Sequence, residues 1–167
     1  MNMDQKRKKA LWKELFYVLL IFYLALLIHF TLLGDSMGRN IFNILNWNPE
    51  SFDQYIRQSV NLVPFTTIRL FIRASQNGTL PFGSIALNLL GNFAVLMPIP
   101  LFMRILFRQH HTARKVFAVV LGTSLLIEIL QFVFLTGSCD VDDVLLNVSG
   151  AMIFYAVLQH MAGREKG

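Results

Sequence analysis

Four carboxylate side chains lie within a short stretch of this sequence, at Glu128, Asp140, Asp142 and Asp143. Glu128 stands inside a long apolar run, and the aspartates come just before the next one. Neighbouring carboxylates can share a proton, so that one acts as a general acid or base; Glu128, Asp140 and Asp143 are the candidates for this role. Carboxylates also supply the oxygen ligands that Ca²⁺ and Mg²⁺ require, but the spacing is not that of a calcium-binding loop. The sequence therefore indicates a polar site and leaves its metal and cofactor unassigned.

The apolar runs around these carboxylates are long enough to cross a bilayer as helices, which takes about 20 residues with a range of about 17–25. Four such runs are present, at residues 15–33, 85–107, 116–135 and 144–161. Hydrophobic residues make up 54% of the chain and charged residues 15%, whereas soluble proteins carry about 25% charged residues. The sequence therefore predicts an all-α membrane protein with four transmembrane helices. Pro98 and Pro100 should end or kink the helix in the second run.

The basic residues indicate how these helices are oriented. Of the 15 lysines and arginines, five precede the first span, four lie between the second and third, two follow the fourth, and four are spread over the loop 34–84. Because short cytoplasmic loops are enriched in Lys and Arg, both termini are predicted to be cytoplasmic and the loop 34–84 to lie outside. The chain then divides into a basic N-terminal segment 1–14, a single membrane domain 15–161 and a tail 162–167. The net charge of +5 is explained by basic residues that orient the spans in the membrane, and nucleic acid is not expected as a partner.

The long outer loop is predicted to hold short interfacial helices. Asn48 followed by Pro49 resembles a helix start with proline at the first helical position, which favours a helix near residues 50–60. Residues 66–74 place Arg69 and Arg73 four apart on one face, with apolar residues around the rest. That pattern is typical of a helix lying on a membrane surface, where the arginines could meet a lipid phosphate.

Polar side chains recur near the outer ends of three spans. Those that share a face are Glu128 and Gln131 in the third span, Asp140, Asp143 and Asn147 at the start of the fourth, and Asn88 and Asn92 in the second. By the rise of a helix, Glu128 lies about 10 Å below the outer end of its span. Ionisable groups at membrane depth cost roughly 2.5–3.5 kcal/mol each on insertion scales, so these stripes should face one another and enclose a pocket.

Structural explanations compete for several of these residues. Asn and Gln side chains in spans often bond neighbouring helices and hold a bundle together. Asp140 or Asp142 could cap the N-terminus of the fourth helix, where the helix dipole favours anions. Glu128 is the residue that such roles explain least.

The same residues form four motifs, in one order along the chain. They are Asn61-Leu62-Val63-Pro64-Phe65, Asn88-Leu89-Leu90-Gly91-Asn92-Phe93 with Met97-Pro98, Glu128-Ile129-Leu130-Gln131, and Asp140-Val141-Asp142-Asp143 followed by Asn147 and Gly150. Together they resemble the VanZ-like family of small bacterial membrane proteins over residues 61–155. Many members of that family carry an arginine between the turn glycine and the aspartate, and the corresponding stretch Gly137-Ser138-Cys139-Asp140 has none.

The resemblance implies a role in the bacterial cell envelope, since the founding member is associated with resistance to teicoplanin-type lipoglycopeptides. It also adds two members to the polar stripes, Asn61 and Asp142. The predicted ligand-binding residues are then Asn61, Asn88, Asn92, Glu128, Gln131, Asp140, Asp142, Asp143 and Asn147.

We therefore expect a plasma-membrane protein that binds a polar envelope ligand in an outer-leaflet pocket. The expected partners are the lipid bilayer and a lipid-linked cell-wall precursor, a lipid headgroup or a lipoglycopeptide. One alternative is a membrane enzyme that modifies a lipid or cell-wall component with Glu128 and Asp140 or Asp143 as acid/base groups or metal ligands. A small transporter and a structural partner subunit are further alternatives, and the residues leave open whether the protein is an enzyme.

Overall fold

The protein folds mainly into long helices. The computed structural model describes residues 3–33, 55–57, 59–107, 112–134 and 136–164. In chain order its elements are α1 (Met3–Ile28, continued by a π-helical turn His29–Leu33), β1 (Val60–Asn61), α2 (Thr66–Gln76), α3 (Phe82–Val95), α4 (Pro98–Leu106), α5 (Ala113–Val133), β2 (Cys139–Asp140) and α6 (Val141–Arg164).

Four helical segments are long and apolar enough to cross a membrane, as the sequence predicts. They are Arg7–Leu32, Phe82–Leu106, Ala113–Val133 and Val141–Arg164. The first begins earlier than predicted because the basic N-terminal segment is itself helical, with Lys8 paired to Asp4 one turn away at 2.9 Å. Such pairs support an exposed helix only weakly. The side of the membrane on which the termini lie stays a prediction.

The second span is interrupted at its prolines, as predicted. Helix α3 ends at Val95, and α4 begins with Pro98 as its first residue, where the missing N–H of proline costs no intrahelical hydrogen bond. The break frees the carbonyl of Val95, because the N–H of Ile99 turns to Leu96 instead, at 3.2 Å. Tyr23 of α1 donates its hydroxyl to that Val95 carbonyl at 2.8 Å, so the break becomes the point at which the first span is attached.

Helix α6 is the central element and packs against α5, α3 and α4. Its Gly150 lies directly against the backbone of α3. A β-carbon at Gly150 would overlap the carbonyl oxygen of Phe93 and lie 2.7 Å from the carbonyl carbon. Two helices can approach this closely only where one of them lacks a side chain.

Apolar side chains fill the space between the helices and also cover their outer faces. Buried residues from all four spans form the core, including Leu27, Leu96, Val120 and Ala151. Large apolar side chains elsewhere on the spans point outward, and Leu87 is 77% exposed. Such an apolar exterior suits a lipid solvent, because hydrocarbon tails contact it at no cost.

A short loop structure closes one end of the bundle, at which α3 begins, α5 ends and α6 begins; we call it the turn end. Here β1 and β2 run parallel, with Val60 opposite Cys139 and Asn61 opposite Asp140. No pattern in the sequence predicts this pair, because two residues are too few for a strand periodicity. Helix α2 follows, where the sequence predicts a helix over residues 66–74; its location at a membrane surface stays a prediction. The helix predicted near residues 50–60 lies mostly outside the described residues, of which 55–57 are helical.

Candidate functional site

Glu128 is buried between α5 and the turn end, with only 3% of its surface exposed. Its Oε2 atom accepts a hydrogen bond from the backbone N–H of Asp140 at 2.9 Å. No described residue donates a hydrogen bond to its other oxygen, Oε1. Glu128 therefore holds the loop that returns from α5 to α6 through one carboxylate oxygen, and its other oxygen is available to a further hydrogen-bond donor.

Asp140 caps the N-terminus of α6. Its Oδ1 accepts the backbone N–H of Asp142 at 2.9 Å, which is the usual geometry of an N-cap aspartate. The same oxygen accepts from the side-chain amide of Asn61 at 2.9 Å, and Oδ2 accepts from the hydroxyl of Thr67 at 2.5 Å. This confirms the capping alternative for Asp140, and its side chain also attaches the 61–67 segment to the bundle.

Asp142 caps a different helix from its own. It is fully buried, and its Oδ1 accepts the backbone N–H of Phe65 at 2.5 Å. Its Oδ2 accepts the backbone N–H groups of Thr67 at 2.8 Å and of Ile68 at 3.2 Å. These N–H groups open α2, so a carboxylate on the fourth span fixes where α2 begins.

The backbone of Phe65 takes an unusual conformation to make this contact. Its φ is +66°, in the left-handed region that residues with a β-carbon seldom occupy. Such conformations cost about 1–3 kcal/mol and persist where surrounding contacts hold them. The carboxylate of Asp142, itself one of the predicted site residues, is the contact that holds this conformation.

A second polar layer lies one helical turn further into the bundle. Asn92 of α3 donates its side-chain amide to the carboxylate of Asp143 on α6. One turn on, Asn147 donates its Nδ2 to the hydroxyl oxygen of Ser124 on α5 at 2.9 Å. Asn147 is 2% exposed, and its Oδ1 has no hydrogen-bond partner among the described residues. The second layer thus joins three helices and contains a buried acceptor that nothing satisfies.

Two of the predicted site residues stay outside these layers. Gln131 donates its amide to the backbone carbonyl of Thr31 at 2.9 Å, which ties α5 to the π-helical end of α1. Asn88 is half-buried on α3 and makes no hydrogen bond to the other predicted residues in the described structure. The remaining predicted residues are brought together, from chain segments that are far apart in sequence.

Sequence reasoning missed one side chain of the site and part of its backbone. Thr67 was not singled out, although its hydroxyl reaches Asp140 and accepts from the Asn61 amide at 3.1 Å. A signal was available, since Thr66 and Thr67 follow Pro64 at a helix start, where hydroxyl residues are common. The N–H groups that contact Asp142 carry no sequence signal at all.

The carboxylates of Glu128, Asp140 and Asp142, which form the first polar layer, accept hydrogen bonds from uncharged N–H and hydroxyl groups. Within the described residues, no Lys or Arg forms an ion pair with Glu128, Asp140 or Asp142. The same part of the chain holds no group of three or more His, Cys, Asp or Glu residues arranged to hold a metal ion. Burial raises the pKa of the Cys139 thiol, and the negative charges of Glu128 and Asp140 add to the shift. The layer can therefore accept hydrogen bonds or a proton.

The comparison with known families covers this whole region. Residues 20–162 match the family model described as VanZ/LLP1. This chain belongs to the VanZ/LLP1 family. The resemblance inferred from the four motifs is thereby confirmed, and every predicted site residue lies within the matched range. With its four spans, this member of the VanZ/LLP1 family is a bacterial membrane protein.

The chain is also similar to an individual curated protein. The chain is 30% identical over 109 residues to Protein VanZ of Enterococcus faecium, an alignment covering 65% of this chain and 58% of that protein. The chain therefore spans less than two thirds of the relative's length. No solved structure matches this VanZ/LLP1 protein.

Proposed function

We propose that this protein binds a polar cell-envelope ligand at the turn end, in the outer leaflet of the plasma membrane, and so contributes to resistance against teicoplanin-type glycopeptides. The ligand classes are a lipid-linked cell-wall precursor, a lipid headgroup or the lipoglycopeptide itself. Family membership and the similarity to Protein VanZ support this proposal. Both termini are then cytoplasmic, in agreement with the distribution of basic residues.

The observation that carries the proposal is the buried polar layer around Glu128. Asp140 and Asp142 are accounted for by their capping contacts with α6 and α2. Within the described part of the chain, Glu128 accepts one hydrogen bond, on Oε2, and its Oε1 accepts none. Asn147 likewise retains an unpartnered acceptor. Polar groups buried at membrane depth without partners are costly, so a ligand that satisfies them accounts for their presence.

Resistance of whole cells tests the proposal most directly. Glu128→Gln and Asp143→Asn keep the shape of each side chain and remove its charge. At equal membrane levels, we expect both variants to lower the teicoplanin concentration that cells survive, towards that of cells lacking the protein. Ser149→Ala, an exposed position on the same helix as Asp143, is the matched control. Unchanged susceptibility of both charge variants would refute the site.

A second candidate is a membrane enzyme that modifies such a ligand, with Glu128 as its acid/base group. The oxygen of Glu128 that lacks a donor favours this role for Glu128 over Asp140, whose carboxylate accepts from three donors. Mass spectra of lipid and cell-wall extracts decide between the two candidates. An enzyme predicts a product that disappears with Glu128→Gln, whereas binding alone predicts identical extracts.

A further inference from the structure

The side-chain amides of the polar layers donate hydrogen bonds inside the protein. The amide of Asn61 donates to Asp140 and Thr67, and the hydroxyl of Thr67 donates to Asp140. In the second layer, the amide of Asn92 donates to Asp143 and that of Asn147 to Ser124.

The backbone N–H groups in the layers are engaged as well. Those of Phe65, Thr67 and Ile68 donate to Asp142, and those of Asp140 and Asp142 donate to Glu128 and Asp140. Each of these backbone N–H groups therefore has its partner inside the protein and is not left to bind an anion.

Among the buried residues of the layers that the structure describes, two side-chain oxygens accept no hydrogen bond. They are Oε1 of Glu128 and Oδ1 of Asn147. Ser124 and Glu128 are four residues apart on α5, so they lie on one face, one above the other. Because Asn147 donates to Ser124, its amide lies beside α5 about one turn, or about 5.4 Å, from Glu128. Two partnerless acceptors, one of them a carboxylate, therefore lie between the same two helices.

Burial limits what can satisfy them. Glu128 is 3% exposed and Asn147 2% exposed, so only a small part of either side chain is open to a ligand group. A phosphate or carboxylate would bring a second negative charge and further acceptors next to the Glu128 carboxylate. A quaternary ammonium carries positive charge but has no N–H to donate.

We propose that this region between Glu128 and Asn147 takes a primary ammonium group, whose N–H bonds fit the two unpartnered acceptors and whose charge fits the carboxylate. The inference rests on the proposed function and narrows its ligand class to compounds carrying a primary amine. Such an amine could belong to a lipid headgroup or to a soluble envelope compound. The chemistry is the same in both cases, because hydrogen bonds between an ammonium and a carboxylate are charge-assisted and short.

Lipid discs of defined composition test the proposal. The full-length protein is placed in discs of anionic phosphatidylglycerol mixed with phosphatidylethanolamine, its mono- or dimethyl derivative, or phosphatidylcholine, and the lipids that stay bound are counted by native mass spectrometry. All four lipids carry the same phosphate, so contacts to phosphate cancel in the comparison. We expect phosphatidylethanolamine to be retained about tenfold over phosphatidylcholine, with a graded loss along the methylation series. Glu128→Gln should abolish the preference, and Ser149→Ala should keep it.

Free ethanolamine separates the two sources of the amine. If the amine is soluble, ethanolamine should raise the melting temperature of the detergent-purified protein, choline should not, and the discs should show no lipid preference. Equal retention of all four lipids together with no effect of ethanolamine overturns the proposal, and water or a metal ion then satisfies the acceptors. These outcomes are read on the parent protein, so they stand even if Glu128→Gln does not fold.

The proposed function and the amine proposal can fail separately. Glu128→Gln could raise teicoplanin susceptibility while the parent protein retains all four lipids equally and its melting temperature does not change with ethanolamine. The site then contributes to resistance, and its ligand is not an amine. If the parent protein discriminates between the amines while susceptibility is unaffected by Glu128→Gln, the amine site is real and the role in resistance is refuted.

Discussion

The carboxylate of Asp142 accepts the backbone N–H of Phe65 at 2.5 Å, although the two residues are 77 positions apart in the chain. With the N–H groups of Thr67 and Ile68 on its second oxygen, this one side chain satisfies the start of α2. The helix dipole adds to the attraction, because the N-terminal end of a helix favours negative charge. The fourth span thus determines the position of a helix that precedes the second span.

Replacing Asp142 should loosen α2 without disturbing the spans. Asp142→Asn removes the charge and sets an amide donor against N–H donors, so we expect a loss of about 2 kcal/mol in stability. Hydrogen–deuterium exchange of the detergent-purified protein should accelerate at the N–H groups of Thr67 and Ile68. Asp143→Asn is the matched control, because the Asp143 side chain contacts Asn92 on α3. Equal exchange of α2 in both variants would show that Asp142 does not hold this helix.

The close approach of α3 and α6 should tolerate no side chain at Gly150. Gly150→Ala brings a methyl group into the Phe93 carbonyl, and we expect about 3 kcal/mol of destabilisation, at the upper end for overpacked cores. A fall in the thermal midpoint of the purified protein measures it. Gly91→Ala on α3 meets nothing within 4 Å and should be neutral or slightly stabilising. A similar midpoint for both variants would contradict the close approach.

The Cys139 thiol should react slowly with alkylating agents. Burial raises its pKa, with Glu128 and Asp140 adding to the shift. A raised pKa lowers the thiolate fraction at any given pH, and thiolate is the reactive form. The rate of iodoacetamide labelling should therefore rise with pH along a curve displaced above the ordinary value of about 8.5.

Two controls define the cause of this displacement. The unfolded protein should follow the ordinary curve, and Glu128→Gln should bring the folded protein partly back towards it, because one negative charge is removed and the burial stays. A folded parent that titrates like the unfolded chain would contradict the half-buried position of Cys139 beside two carboxylates.

Losing the amide of Gln131 should free the end of the first span. Gln131→Met keeps the length of the side chain and removes the hydrogen bond to the Thr31 carbonyl, at a cost of about 1 kcal/mol. Amide exchange should increase in the π-helical turn His29–Leu33 and not at the break between α3 and α4, where Tyr23 provides the attachment. Protection of this turn that equals the parent's would show that the amide of Gln131 is not what holds it.

Fusions at the C-terminus test the predicted orientation. A fluorescent protein that matures only in the cytoplasm should fluoresce after Gly167, whereas alkaline phosphatase, which is active only outside, should be inactive there. Phosphatase activity at this point would reverse the topology and place the turn end on the cytoplasmic side.

The spans were predictable because lipid imposes a simple rule, that about 20 apolar residues in a row form a crossing helix. The shared face of Asp140, Asp143 and Asn147 could also be predicted, since helical spacing determines which side chains lie on one face. The partners of Asp142 were not, because a carboxylate that caps a distant helix leaves no local pattern. Nor could Asn88 be separated from Asn92. They lie four apart on one helix, and only the rotation and tilt set by packing decide which one reaches Asp143.

The bond between Asn61 and Asp140 spans 79 positions of the chain, which has a consequence for how the protein is made. A ribosome adding about 5–20 residues per second needs roughly 4–16 s to travel that distance. During this interval Asn61 and the first residues of α2 have been synthesised, and their acidic partners have not. The polar layers can assemble only after the last helix has entered the bilayer. The hydrogen bonds that join the four spans to the loop at the turn end therefore form in the final step of insertion.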